Sequence, residues 1–206
     1  MPADLEFFFD FSSPYAYFAS TRIEQLAARY GRGVHWTPIL MAAMFKITGS
    51  VPLPSVPVKG AYVLLDLERT ARHHGIAYSK PDNFPVLSLA AGRAMLWIDA
   101  VHGNKLAADF AKACMRGYFA EGIDIASEAA LAQLASGLGV APQALVEGIK
   151  SPETKELFRR ASETALEQGV FGSPFVLVDG QPFWGFDHFD QLEACLAARM
   201  QPVKAA

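Results

Sequence analysis

A serine stands at the predicted start of the first helix, where a polar side chain can act on a bound anion. The run from Leu5 to Phe11 is apolar and aromatic, which is typical of a buried strand. Ser12, Ser13 and Pro14 follow, and apolar positions then recur at helical spacing up to Gly31. Because the free N–H groups of a helix start favour negative charge, the Ser13 hydroxyl is placed to donate a hydrogen bond to an anion, including a thiolate supplied by a ligand.

Two other interpretations of this segment stay open. Ser13 can serve only as a helix cap, and Ser12 can supply the hydroxyl in its place. We favour Ser13 because Ser12 points away from it and from Phe11 if those two residues lie at the strand end. A protease-type nucleophile is not indicated, since no histidine or lysine is placed locally and the Gly-x-Ser-x-Gly motif is absent from the sequence.

A second motif precedes an apolar run near the end of the chain. Phe171 and Gly172 are followed by Ser173 and Pro174, and the run begins directly afterwards. An X-Pro bond in a tight turn before a strand is a candidate cis peptide, and Ser173 would then offer its backbone to an extended ligand. The alternative is the ordinary beginning of a strand.

A third motif combines a carboxylate with a helix start. Trp184, Gly185, Phe186 and Asp187 follow one another before the last amphipathic segment. Free backbone N–H groups and the Asp187 carboxylate suit the charged α-amino and carboxylate groups of a peptide ligand. The alternative is that Asp187 only caps the final helix, in a capping-box arrangement with Asp190.

The predicted elements that position these motifs follow the order βαβ, a helical block, then ββα. A second strand fits 33–40, several helical patterns fill the middle (including 59–74, 89–102 and 104–119), and Ser127 and Ser151 cap two more helices. A hairpin with an Asp179-Gly180 turn and a last helix complete the chain. This order predicts an α/β, thioredoxin-like domain formed by residues 1–41 and 170–206, with a large all-helical insertion over 42–169.

Composition excludes several classes of protein. The 206 residues are 51% apolar and carry a net charge of −3, which excludes a disordered chain and gives no basic surface for nucleic acid. Charges interrupt every apolar stretch before about 18 residues, so no membrane span is expected. No basic leader precedes the first apolar run, which favours a cytoplasmic protein. Two cysteines are too few for a disulfide framework, and no residues show metal-ligand spacing.

The three motifs together resemble those of one family. Segments 9–17, 169–174 and 183–187 are similar to motifs of the 2-hydroxychromene-2-carboxylate isomerases and the related kappa-class glutathione transferases. A helix of that family is matched in spacing by Lys59, Tyr62, Asp66, Leu67 and Arg69. The resemblance covers essentially the whole chain and implies a DsbA-type thioredoxin-like fold, a homodimer and glutathione as cofactor.

The resemblance also implies how glutathione is held. By this analogy Ser13 contacts the sulfur and acts as the catalytic residue, while the backbone of Ser173 pairs with the peptide beside a cis Pro174. The γ-glutamyl end is assigned to Asp187 with the adjoining backbone at Gly185 and Phe186, and Trp184 is a further expected glutathione-binding residue.

The implied substrate is a small aromatic carboxylic acid. Lys46 matches a lysine near the aromatic substrate in the isomerases, and Tyr15 and Phe45 are placed to line a flat apolar pocket. The implied reaction is a cis-trans isomerisation to trans-o-hydroxybenzylidenepyruvate by reversible thiolate addition. Val56 and Pro57 stand where the isomerases carry a polar Asn-Arg pair, so a kappa-like transferase and a non-catalytic binding module stay open as alternatives.

Overall fold

A four-stranded mixed sheet forms the centre of the thioredoxin-like part. The computed structural model describes residues 3–200, so the outermost ends of the two predicted segments lie outside the described residues. The strands are β1 (Leu5–Phe9), β2 (Val34–Pro38), β3 (Phe175–Val178) and β4 (Gln181–Trp184), in the order β2-β1-β3-β4. β1 runs parallel to β2 and antiparallel to β3, and β3 runs antiparallel to β4. The predicted βαβ and ββα units are both confirmed.

Helices make up most of the remaining chain. They are α1 (Pro14–Ser20), α2 (Ile23–Arg29), α3 (Met41–Thr48), α4 (Lys59–His74), α5 (Leu89–His102), α6 (Asn104–Glu121), α7 (Glu128–Ser136), α8 (Pro142–Lys150), α9 (Pro152–Glu167) and α10 (Phe189–Met200), with 3-10 turns at Leu53–Ser55 and Phe186–His188. Every residue between β2 and β3 is described and none lies in a strand, as the sequence predicts. Ser127 and Ser151 accept hydrogen bonds from the amides of Ala130 and Thr154, which confirms both predicted caps.

The single helix predicted from Pro14 towards Gly31 is wrong in one respect, because the chain forms two short helices there. Arg22 lies between them with a non-helical φ of −130°. Ser20 Oγ and Thr21 Oγ1 donate to the carbonyls of Tyr17 and Phe18. Such side-chain bonds to the preceding turn compete with the helical ladder, and they account for the break that periodicity alone does not show.

One core joins the sheet to the helical segment. Phe7 and Trp36 of the sheet are at most 1% exposed, and they belong to the same buried cluster as Met115 of α6. Tyr17 of α1 stacks on Phe119 of α6, with ring centroids 5.5 Å apart. The insertion therefore packs directly on the α1 face of the sheet and holds α1 in place. Within the described residues, no helix is long and apolar enough to cross a membrane.

Candidate functional site

The start of α1, helix α3 and the loop before β3 enclose a cavity of about 400 Å³. Five of the residues selected from the sequence line it, namely Ser13, Tyr15, Phe45, Ser173 and Trp184. Lys46 does not, since its side chain is exposed on α3 next to Phe45. Among the described residues no charged side chain lines the cavity, whose walls are mainly apolar with a few hydroxyl groups. Such a cavity suits an apolar or aromatic ligand.

Ser13 combines a helix cap with a position on the cavity wall. It is the N-cap of α1, and its Oγ accepts a hydrogen bond from the Ala16 amide at 3.2 Å. The same hydroxyl donates to the carbonyl oxygen of Ser173 at 3.0 Å. A hydroxyl hydrogen rotates freely about its C–O bond, so it can leave this carbonyl for an anion in the cavity. Capping therefore does not prevent Ser13 from acting on a ligand.

The neighbouring hydroxyl of Ser12 is engaged elsewhere. Its Oγ donates to Asp10 Oδ1 at 2.7 Å, and its amide donates to the same oxygen at 2.8 Å. A carboxylate holds a hydroxyl hydrogen more strongly than a neutral carbonyl does. Ser12 and Ser13 both line the cavity, and Ser13 has the hydroxyl hydrogen that is easier to redirect.

The loop before β3 is fixed against β4. The Ser173-Pro174 peptide is cis, and the Gly185 amide donates to the Pro174 carbonyl at 3.0 Å. A Cβ on Gly172 would lie 2.1 Å from Nε1 of Trp184, so the absence of a side chain there lets the indole pack against the loop. The ring of Trp184 is half exposed and forms part of the cavity wall.

The predicted cap at Asp187 is wrong. Asp187 lies inside the 3-10 turn, the N-cap position is Gly185, and no side chain donates or accepts a capping hydrogen bond there. The Asp187 side chain is 83% exposed, and its carboxylate lies 3.6 Å from His188 Nδ1. Gly185 has a φ of +96°, and a Cβ on it would meet the Asp187 carboxylate at 2.3 Å. The carboxylate is thus accessible to a ligand instead of being used within the helix.

Tyr15 is held on the cavity wall by α4. Its hydroxyl donates to Asp66 Oδ2 at 2.6 Å. Burial raises the pKa of Tyr15 well above its usual range, and the hydrogen bond to the Asp66 carboxylate raises this pKa further. Tyr15 is therefore a neutral hydrogen-bond donor at any physiological pH, and its ring is fixed beside Ser13.

Sequence reasoning missed two features of this site. Asp10 is 2% exposed and accepts a hydrogen bond from Ser12, which lines the cavity. The only signal for it was a charged residue inside an apolar run, which requires polar partners when buried. The second feature is a cis peptide between Phe84 and Pro85, both of which line the cavity.

The fold and the site define a thioredoxin-like protein that has a serine, Ser13, at the start of its first helix. Among the described cysteines, Cys114 is buried in α6, where burial raises its pKa, and Cys195 lies on α10 away from the cavity. Residues 4–197 match the model of the DSBA-like thioredoxin domain, and the chain belongs to this family, in the group of 2-hydroxychromene-2-carboxylate isomerases and kappa-class glutathione transferases.

Its relatives include members of both enzyme classes. A 2-hydroxychromene-2-carboxylate isomerase of Sphingobium xenophagum is 30% identical over 95% of this chain and 99% of its own length. Glutathione S-transferase kappa 1 of Homo sapiens is 27% identical over 100% of this chain and 96% of its own length. The solved structure of a 2-hydroxychromene-2-carboxylate isomerase matches with a TM-score of 0.86 and 26% identity, covering 95% of both chains.

Proposed function

We propose that this protein is a glutathione-dependent isomerase that converts an aromatic acid of the 2-hydroxychromene-2-carboxylate type to the trans-o-hydroxybenzylidenepyruvate form. The observation that carries the proposal is the Ser13 hydroxyl, which faces an apolar cavity from the N-cap of α1 beside the cis Ser173-Pro174 peptide. The similarity to named isomerases supports the same reaction class. By the resemblance, the enzyme is also expected to be a homodimer, which light scattering in solution tests.

The residues present fit a thiol-bearing peptide. The absence of a side chain at Gly185 makes room for the Asp187 carboxylate, and this exposed carboxylate is suited to bind a ligand ammonium group. The backbone of Ser173 at the cis peptide is placed to pair with an extended ligand. Ser13 then stands at the other end of this surface, next to the cavity in which a ligand sulfur would meet the substrate.

The chain's own groups would favour the thiolate form of this cofactor. When bound, glutathione supplies a thiolate that adds reversibly to the conjugated substrate and so allows rotation about a former double bond. Ser13 turns its hydroxyl hydrogen from the Ser173 carbonyl to the sulfur, and the N–H groups at the start of α1 add a favourable field. Tyr15 and Phe45 would hold the aromatic ring in the cavity. Lys46, at the exposed side of α3, would pair with the substrate carboxylate.

One observation favours a second candidate, a transferase that leaves glutathione attached to an electrophile. No charged side chain among the described residues lines the cavity, and Lys46 lies outside its wall. In addition, Val56 and Pro57 replace a polar pair of the isomerases. An uncharged electrophile needs no charged partner, and it would therefore fit this cavity.

A thiolate difference spectrum tests the proposal. Glutathione is titrated into the protein near neutral pH, with Ser13→Ala and Ser12→Ala measured in parallel. We expect a saturable thiolate signal that disappears in Ser13→Ala and persists in Ser12→Ala. A protein without any signal would be a binding module or a fold with different chemistry, and loss of the signal only in Ser12→Ala would move the role to Ser12.

Product analysis then separates the two enzyme classes. An isomerase consumes no net glutathione while the aromatic acid changes isomer. A transferase consumes one glutathione for each electrophile and gives a stable conjugate. Chromatography of both pools after many turnovers distinguishes the two results, and a glutathione conjugate as the main product would contradict the isomerase proposal.

A further inference from the structure

A single buried aspartate, Asp10, joins four segments of the chain next to the cavity. Asp10 Oδ1 accepts hydrogen bonds from the Ser12 amide at 2.8 Å, the Ser12 hydroxyl at 2.7 Å and the Ser88 hydroxyl at 2.8 Å. Oδ2 accepts one from the Met41 amide at 2.8 Å. The Asp10 amide in turn donates to Ser173 Oγ at 2.8 Å. The partners lie 2, 78, 31 and 163 positions away in the chain.

Asp10 caps the start of α3 and binds the N-cap residue of α5. The N-cap of α3 is Leu40, which has no capping side chain, and the first amide of that helix is bound by Asp10. Ser88 is the N-cap of α5, yet its hydroxyl makes no capping bond and donates to Asp10. The same carboxylate binds the turn that leads into α1 through Ser12. Three helix starts thus converge on one carboxylate.

The burial of the Asp10 carboxylate is explained better by the geometry it imposes than by a gain in stability. A buried carboxylate is expensive to desolvate, and apolar residues of similar volume often give equal or greater stability. What the carboxylate adds is a fixed direction for each donor around it. Two partners of the carboxylate, Ser12 and Met41, line the cavity, and so does Ser173, which the Asp10 amide binds. Its bonds therefore set the geometry of the wall on which Ser13 stands.

We propose that Asp10 is a positioning residue for thiol activation: its carboxylate holds the starts of α1, α3 and α5, so that the Ser13 hydroxyl faces the cavity, while its backbone amide binds Ser173. The Asp10 carboxylate binds the Ser12 hydroxyl, whereas the Ser13 hydroxyl donates to a neutral carbonyl. Of these two serines, only Ser13 therefore has a hydrogen that is easily redirected to a ligand. This inference rests on the proposed use of glutathione. It goes further because it assigns a role to a residue that touches neither cofactor nor substrate.

Asp10→Asn tests the role, because an amide nitrogen cannot accept the hydrogen bonds that one carboxylate oxygen accepts here. The pKa of the bound glutathione thiol is read from the thiolate absorbance as a function of pH. We expect this pKa to rise towards that of free glutathione by about one unit, which lowers the ratio of thiolate to thiol at a given pH roughly tenfold. A simple charge effect has the opposite sign, since removal of a nearby negative charge would lower the thiol pKa.

Ser162→Ala is the matched control. Ser162 is 5% exposed and its Oγ accepts from the Leu40 amide at 3.1 Å, next to Met41, but it makes no bond to α1. We expect Ser162→Ala to lower the free energy of unfolding and to leave the thiol pKa unchanged. In a Ser13→Ala background, Asp10→Asn should change the thiol pKa no further, because its effect acts through Ser13.

The outcomes distinguish failure of the role of Asp10 from failure of the proposed function. A thiolate signal in the unmutated protein with an unchanged or lower thiol pKa in Asp10→Asn would overturn the role of Asp10 and leave the proposed function intact. No thiolate signal in the unmutated protein would overturn both. If Asp10→Asn does not fold, Ser88→Ala removes a single hydrogen bond from Asp10 and should raise the thiol pKa by a smaller amount, and an unchanged value there would overturn the role.

Discussion

At the scale of single residues, the site depends on small side chains that let large ones approach. Gly172 lies against the Trp184 indole, and Gly185 lies against the Asp187 carboxylate. In both cases an added Cβ would displace a group that faces the candidate ligand site. The glycines therefore shape the site as much as the polar residues do, although they carry no chemistry themselves.

Gly172→Ala should disturb the cavity wall. The new Cβ would lie 2.1 Å from Trp184 Nε1, so the indole must move away from the loop. We expect a shifted tryptophan emission and glutathione binding weakened by roughly tenfold, or about 1.4 kcal/mol. The control is Gly137→Ala at the C-cap of α7, where the new Cβ meets its nearest neighbour, the Leu134 carbonyl, at 3.4 Å. Unchanged emission and binding in Gly172→Ala would show that the indole does not need this contact.

Tyr15→Phe should lower stability through one hydrogen bond. The change removes the 2.6 Å bond from the Tyr15 hydroxyl to Asp66 and leaves the ring on the cavity wall. We expect the free energy of unfolding to fall by about 1–3 kcal/mol, because the partner of the lost hydrogen bond is charged. Denaturant titration measures it. Tyr62→Phe on the exposed side of α4 is the control, and an equal loss in both variants would argue against the bond to Asp66.

Local residues of the site were predictable from sequence, whereas its long-range partners were not. Ser13, Pro14 and the Ser173-Pro174 pair stand out because caps and turns are read from adjacent residues. The bonds of Asp10 reach Ser88 and Ser173, which are 78 and 163 positions away, and no local pattern encodes such contacts.

At the scale of elements, the β3–β4 hairpin brings two of the motifs together. β3 begins directly after Pro174 and β4 ends at Trp184, and the register pairs Phe175 with Trp184. The turn at the far end has Asp179 and Gly180 in the left-handed region, with φ values of 49° and 78°. This turn was correctly predicted from the Asp-Gly pair, and it sets the register that places the motifs side by side.

Gly180→Ala should weaken the hairpin without changing the site. Nothing lies within 4 Å of the position of the new Cβ, so the cost comes only from the left-handed backbone. We expect the free energy of unfolding to fall by about 1 kcal/mol and the bound thiol pKa to stay constant. Gly180→Asn is the matched variant, since asparagine tolerates this conformation, and it should recover part of the loss. A changed thiol pKa in Gly180→Ala would show that the turn influences the site.

Element boundaries were less predictable where side chains compete with the backbone. The break between α1 and α2 follows from the bonds of Ser20 and Thr21 to carbonyls in the preceding turn, and apolar spacing carries no trace of it. Asp187 was expected to cap the last helix because its type and position allow it. The 3-10 turn beginning after Gly185 places Asp187 inside the turn, where its side chain points outwards.

At the scale of the whole molecule, buried tyrosines occur both in the thioredoxin-like part and in the helical segment. Tyr17 of α1 is 4% exposed and donates to the Ala77 carbonyl at 2.7 Å, beyond the end of α4. Tyr118 of α6 is 1% exposed and packs beside Phe119. Burial raises the pKa of both hydroxyl groups and raises the pKa of Tyr78 to about 12. Folding therefore keeps protons on these groups that the unfolded chain releases at lower pH.

This difference predicts a loss of stability at alkaline pH. A raised tyrosine pKa contributes stability that is fully present below the pKa of the unfolded chain, about 10. This stability is lost as the pH rises beyond that value, because the unfolded chain then releases its tyrosine protons and the folded chain does not. We expect the free energy of unfolding to be level from about pH 8 to about pH 9 and to fall progressively above about pH 10. Denaturant titrations across this range measure it, with tyrosinate absorbance as the readout of ionisation. Tyr118→Phe should reduce the slope and Tyr62→Phe should not, and a stability that stays level above about pH 11 would contradict the burial of these hydroxyl groups.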